Sequence, residues 1–355
     1  MKRIFLSSFL FLVLLTACTR DFYTPPPQTS GTPLPTETAT LTISSPTPEA
    51  TLSLRRGINI GDALEAPTEG EWGLTVQEEY FDLIKEVGFD FVRLPIRWNA
   101  HADESAPYTV DPEFFLRVDQ IADWALARDM VIILDFHHYE EMAWDPWSHK
   151  DRFISIWKQI AEHYKDYPPQ VMFELLNEPN DQLDAALWNE YVNETLSVLR
   201  ASNSTRDVIV GPVQWNSYNW ISTLDVPDDP HVIVTFHYYE PFHFTHQGAD
   251  WVGEESNQWL GTIWDATDEQ QAEITYAFDL VRDWAMRHHI RVLLGEFGAY
   301  SKADMASRVR WTSFVAREAE RHGFAWSYWE FGSGFGIYDP EAKVWRKELL
   351  RALMP

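Results

Sequence analysis

The run VMFELLNEPN, residues 171–180, decides the fold. It begins as an apolar, strand-like segment and ends in a polar cluster in which Glu178 stands between Asn177 and Pro179. Other segments repeat the plan of a short apolar or β-branched run that ends in polar or aromatic residues: RGINI, FDFVRLP, MVIILDF, DVIVGP, HVIVTFHY, RVLLGEF and FAWSYWE. Helical periodicity fills the gaps, as in DPEFFLRVDQIADWALARDM, where Asp111 can cap the helix and Pro112 can take its first turn. Strands alternating with helices predict parallel βαβ units. Eight of them, over residues 54–355, predict one closed (β/α)8 TIM barrel of the α/β class, whose usual length is about 250 residues or more.

In such a barrel, reactive groups gather at the C-terminal ends of the strands. The polar residues fall there. Arg93 ends FDFVR, His137 and His138 follow VIILDF, and Asn177 and Glu178 follow VMFELL. Trp215 follows VIVGPVQ, His237 and Tyr239 end VIVTFHYY, Glu296 ends VLLGE, and Trp329 with Glu330 ends FAWSYWE. Each has a plain structural reading when taken singly: a strand-end Glu can pair with an Arg, a His can be a bonded rim residue, and a Trp can fill space. Together, Glu178 and Glu296 end the fourth and seventh strands and face each other across one barrel mouth, where they can flank a bond. The long connection from Glu240 to Thr267 is predicted to be an active-site loop.

Outside the barrel, MKRIFLSSFLFLVLLTAC places Lys2 and Arg3 before an apolar run from Ile4 to Leu15. That run is shorter than the roughly 20 residues of a spanning helix and reads as a secretion signal over residues 1–18. LTAC resembles a bacterial lipobox, so Cys18 is expected to be lipidated and to anchor the chain to a membrane at the cell envelope or outside the cell. An ordinary signal peptide with an incidental Cys is the other reading. Residues 19–53 are rich in Pro, Thr and Ser without apolar periodicity, as expected of an extended tether. Cys18 is the only cysteine, which excludes an intrachain disulfide and a multi-thiolate metal centre.

The formal net charge of -26 argues against nucleic acid as a partner. The 17 Trp and 14 Tyr exceed what a core needs, so some rings are expected at the surface, where flat apolar faces stack on sugars.

NEP after the fourth strand, with RLPIRW, DFHHY, HYYEPF, GEFGAY and WSYWEFGSGFG, resembles glycoside hydrolase family 5 over residues 55–355. NIGDALEAP from Asn59 and FTHQGADW from Phe244 are similar to its bacterial endoglucanase branch. The resemblance implies retaining, endo-acting hydrolysis of β-1,4-linked glucan, with Glu178 as acid and then base and Glu296 as nucleophile. A β-mannanase, or an enzyme with both activities, is the runner-up. By the same resemblance, Asn177 contacts the sugar 2-hydroxyl and His137 and His138 line the subsite before the cut bond. His237 orients Glu178 or substrate, and Trp329 forms the sugar platform. Arg93 and Tyr239 are expected to hold Glu296 anionic. Asp62, Glu65, His246, Trp251 and Glu330 match family-like blocks and are expected to bind hydroxyls farther along. EEMAWDPW adds Trp144 and Trp147 as stacking residues without a place. The expected partner is a β-1,4-linked polysaccharide, the expected state a monomer, and no cofactor or metal is expected.

Two rivals come from other classes. A metal-dependent hydrolase could draw on His137, His138, Glu140, His149, His237 and His246, but no HExxH pattern or HxH at the end of the first strand supports it. A non-catalytic glycan-binding lipoprotein would suit the tether and the surplus Trp, yet has no use for Glu178 and Glu296 both at strand ends.

Overall fold

The computed structural model describes residues 54–355; the signal segment with Cys18 and the linker 19–53 lie outside the described residues. All eight predicted segments contain strands: β1 (Arg56–Asn59), β2 (Phe91–Ile96), β3 (Val131–Phe136), β4 (Val171–Glu174), β5 (Val208–Val210), β6 (Val232–His237), β7 (Arg291–Glu296) and β8 (Ala325–Tyr328). They run in sequence order around a closed barrel, with β8 pairing in parallel with β1. One strand face looks into the barrel and the other onto helices, which is why β2, β3 and β6 are buried along their whole length and read as largely apolar runs.

The larger core lies between the strands and the helices around them. The helix Pro112–Leu126 begins as predicted, with Asp111 accepting a hydrogen bond from Glu113 N, and Asp268–His288 opens on a reciprocal capping box of Thr267 with Gln270. A second, smaller cluster fills the barrel interior at its N-terminal end: Phe91, Val131, Ile133, Met172, Ile209, Ile233 and Leu293, with Leu54 against it. Among the described residues no helix is long and apolar enough to cross a membrane.

The crossover from β5 to β6 departs from the expected pattern. Instead of one long helix it has two short helical turns, Val213–Asn216 and Tyr218–Thr223. Gly211 and Pro212 open this segment, Pro227 and Pro230 close it, and Gln214, Trp215 and Asn216 all have left-handed backbones, so no helix can run through. The predicted loop after β6 contains the short turns Phe242–Thr245, Asp250–Val252 and Glu254–Trp259. It is held from inside by Gln247, whose amide donates to Phe244 O and Thr262 O and accepts from Gly261 N.

Candidate active site

The site is assembled around one cation. Arg93 on β2 is fully buried. Its guanidinium donates to both oxygens of Glu174 on β4, at 2.7 and 2.9 Å, and to Glu296 Oε1 on β7 at 2.7 Å. Asn59 Oδ1 and Asn177 Oδ1 each accept from it at 2.9 Å, and Asp135 Oδ2 on β3 lies 3.0 Å away. Burial alone disfavours a charge, but three carboxylates in contact hold Arg93 firmly protonated.

Strict alternation along β7 would turn Glu296 away from the interior that Leu293 faces. The β6–β7 register shifts between Phe236 and His237 and sets His237 beside Glu296. Such an irregularity re-aims a side chain. Gly295 permits the close approach, since a Cβ there would stand 2.4 Å from Thr235 Oγ1 and 3.0 Å from His237 Nε2.

Glu296 accepts from Arg93 through one oxygen and from the Tyr239 hydroxyl, at 2.9 Å, through the other. Glu178 follows β4 in a left-handed conformation, φ 48°, and its Oε1 lies 2.8 Å from His237 Nδ1. Asn216 Nδ2 donates to His237 Nε2 at 3.3 Å, which leaves Nδ1 to carry the proton and donate to Glu178. Burial lowers the His237 pKa to about 4, so this ring is neutral. Carboxylate oxygens of Glu178 and Glu296 and a ring nitrogen of His237 all lie within 4.8 Å of one another.

Burial pushes both acids up to about 7. Their direct contacts differ. Of the two, only Glu296 touches Arg93 and Tyr239, so the negative charge of the pair settles there and the proton on Glu178.

Asn177 lies beside Glu178, its carbonyl taken by Arg93 and its NH2 left to donate. His137 Nδ1 meets Asp135 Oδ2 at 2.5 Å, and the His137 ring lies parallel to Trp329, 6° between planes. His138 meets Trp72 edge-on and has Glu140 at 3.8 Å. Trp329 is half-buried beside Gly61, where a Cβ would come within 2.9 Å of its ring. On the β6 loop, His246 stacks on Phe242 at 4.1 Å, and the exposed ring of Trp251 meets Tyr300 edge-on at 4.9 Å.

A cavity of about 550 Å³ is bounded by Glu178, Trp215, His237, Tyr239, His246 and Trp251. A second, of about 240 Å³, is bounded by His137, His138, Asn177, Glu178, Trp144 and Trp215. Glu178 and Trp215 line both.

Two expected hydroxyl binders are placed otherwise. Glu330 is fully buried and accepts from Gly332 N, Ser333 N and Phe335 N; Glu65 accepts from Asp62 N and Ala63 N. A buried carboxylate must find donors, and in these tight turns the nearest are backbone N–H groups, so both residues latch loops of the rim. Burial, reinforced by the charge of nearby Asp62, pushes each to about 8. Asp62 itself is only half-buried.

Of the six residues of the metal reading, five are engaged in other bonds: His137 to Asp135, His149 to the Tyr139 hydroxyl, His237 to Glu178, His246 to the Thr245 hydroxyl and Glu140 to Arg97. Sequence reasoning missed Asn59, Asp135, Glu174 and Asn216. The first three carried a signal, a polar residue inside an otherwise apolar strand run.

Residues 57–334 match the family model described as Cellulase (glycosyl hydrolase family 5). The chain belongs to glycosyl hydrolase family 5. It is 39% identical over 303 residues to Endoglucanase H of Acetivibrio thermocellus, an alignment that covers 84% of this chain and 32% of that protein. The chain thus spans about a third of that relative's length. Among solved structures it is similar to Thermotoga maritima Cel5A in complex with mannotriose, at 48% identity and a TM-score of 0.83, covering 84% of this chain and 97% of that one. The same figures hold for the Thermotoga maritima Cel5A structure in complex with cellobiose. The closed eight-stranded barrel is the fold of this family 5 chain.

Proposed function

We propose that this family 5 chain cuts internal β-1,4 bonds of glucans such as cellulose and mixed-linkage glucan, with retention at the anomeric carbon. The observation that carries the reading is the pair of carboxyl groups, Glu178 and Glu296, with oxygens within 4.8 Å and a cation on only one of them. Retaining glycosidases hold their two carboxyl groups about 5–5.5 Å apart, and inverting ones leave room for a water between them. Glu296, ionised, attacks the anomeric carbon while Glu178 gives its proton to the leaving oxygen. The ester formed neutralises Glu296, the Glu178 pKa falls, and Glu178 takes a proton from the water that releases the sugar. The Asn177 NH2 donates to the 2-hydroxyl, and Trp329 carries the sugar ring.

Proton NMR of the first products tests this reading: a β-anomer is expected, and an α-anomer sinks the mechanism. Polymer binding without turnover would instead favour the glycan-binding reading. A second substrate, β-1,4-mannan, is favoured by the likeness to Cel5A, solved with both mannotriose and cellobiose. Initial rates on carboxymethylcellulose, lichenan and glucomannan rank the two.

We also propose that the enzyme works as a monomer at the cell envelope or outside the cell, tethered by a lipid on Cys18 through the Pro/Thr/Ser-rich linker. Metabolic labelling with a clickable fatty acid, lost in Cys18→Ala, tests the anchor.

A further inference from the structure

Trp144 and Trp147 are among the most exposed large apolar side chains of the described residues, at 61% and 64%. Both are mounted on a fixed backbone. Asp145 N donates to Glu141 O at 2.8 Å, and Asp145 caps the helix Pro146–His163. Pro146 O accepts from the buried Tyr191 hydroxyl at 2.9 Å, and Ala143 O from Gln182 N at 2.9 Å. Two exposed indoles carried on a backbone fixed by folding form a surface suited to a flat apolar partner.

Their place indicates which partner. Trp144 lines the smaller cavity, which adjoins the cut bond at His137, Asn177 and Glu178 and is bounded as well by Trp215, on the side of the mouth formed after β3, β4 and β5. Glu296 ends β7 and Trp329 follows β8, on the other side of the ring of strands. In the proposed reaction Glu178 protonates the leaving oxygen, so a leaving chain that follows this cavity from Glu178 passes Trp215 and Trp144, and Trp147 stands three residues on, in the first turn of the next helix.

We infer that Trp144 and Trp147 form an aromatic ledge that binds the leaving-group portion of a long, neutral β-1,4-linked chain, beyond the sugar next to the cut bond. This rests on the retaining glucanase reading. The equatorial substituents of such sugars leave axial C–H faces for an indole to cover. The ledge makes the enzyme favour long chains over short ones.

The test compares the full chain with W144A/W147A and W144Y/W147Y on barley β-glucan and on an aryl β-cellobioside, which presents no sugar to the ledge. For the alanine pair, kcat/KM on β-glucan is expected to fall at least about tenfold further than on the aryl glycoside, mainly through KM, and the tyrosine pair should recover most of it. Equal losses on both substrates, no loss on either, or failure of tyrosine to rescue overturns the ledge. If the parent protein cuts neither substrate, it is the glucanase reading that fails.

Discussion

The floor and the mouth of the barrel are made by the same strands, and they differ in almost everything else. Phe91 and Arg93 are two residues apart on β2, as are Ile133 and Asp135 on β3 and Met172 and Glu174 on β4. In each pair the first belongs to the apolar cluster that plugs the floor, and the second to the ion network under the mouth. A rise of about 6–7 Å along a strand therefore separates a layer that stabilises the fold from one in which carboxylates are held near a single cation. The apolar layer gains free energy from burial alone. The charged layer breaks even at best and is expected to be retained for what it does to Glu178 and Glu296.

The comparison can be broken at four points. Glu296→Gln keeps the side-chain shape, so it should leave thermal unfolding unchanged or slightly raised while turnover falls by at least about 10^4-fold. Residual activity near the parent level would remove Glu296 from the nucleophile role. Glu178→Gln should reduce hydrolysis of a polysaccharide by about 10^2–10^4-fold and that of an aryl glycoside with an acidic leaving group much less, because only a poor leaving group needs the proton. Equal losses on the two substrates would contradict the acid assignment. At the floor the sign of the contrast reverses. The Phe91 ring lies over Gly57, where a Cβ would come within 2.2 Å of it, so Phe91→Ala opens a cavity and should lower stability by about 3–5 kcal/mol with kcat of the folded protein little changed. Calorimetry beside kinetics below the transition checks both halves.

Tyr239→Phe sharpens the comparison by the smallest expected effect. Burial raises Glu296 from its ordinary range to about 7, and the Tyr239 hydroxyl opposes that rise by stabilising the anion. Without it the pKa goes up further, so the acid limb of the kcat/KM profile, where Glu296 gains a proton, should move to higher pH by about one unit. The alkaline limb, where Glu178 loses its proton, should move less. A downward shift of the acid limb would show that Tyr239 does not act on the anion.

Much of this was legible because the relevant physics is local. The eight strand segments announced themselves by apolar runs that only a doubly covered parallel sheet requires, and the residues now around Glu178 and Glu296 stood at the strand ends where barrel chemistry collects. What was not legible depended on distance. Glu174 lies inside VMFELLNEPN itself and still passed for part of a strand, because its partner Arg93 is 81 residues away. Glu65 and Glu330 read as hydroxyl ligands because a sequence shows a carboxylate but not the backbone donors folded around it. The β5–β6 crossover read as helical because alternation was extrapolated across prolines.

By itself, then, the chain's order of residues determined a closed ring of eight strands and which end of it would carry acids, amides and aromatic rings, since strand runs, caps and turns are fixed by near neighbours and by the period of side-chain direction. Only the tertiary structure decided that Glu296 turns inward, through a one-residue slip against β6, and that Arg93 is shared between Glu296 and the buried carboxylates Glu174 and Asp135. Both depend on groups brought together from different strands, and the protonation of a buried acid is set by what touches it, not by what precedes it in the chain.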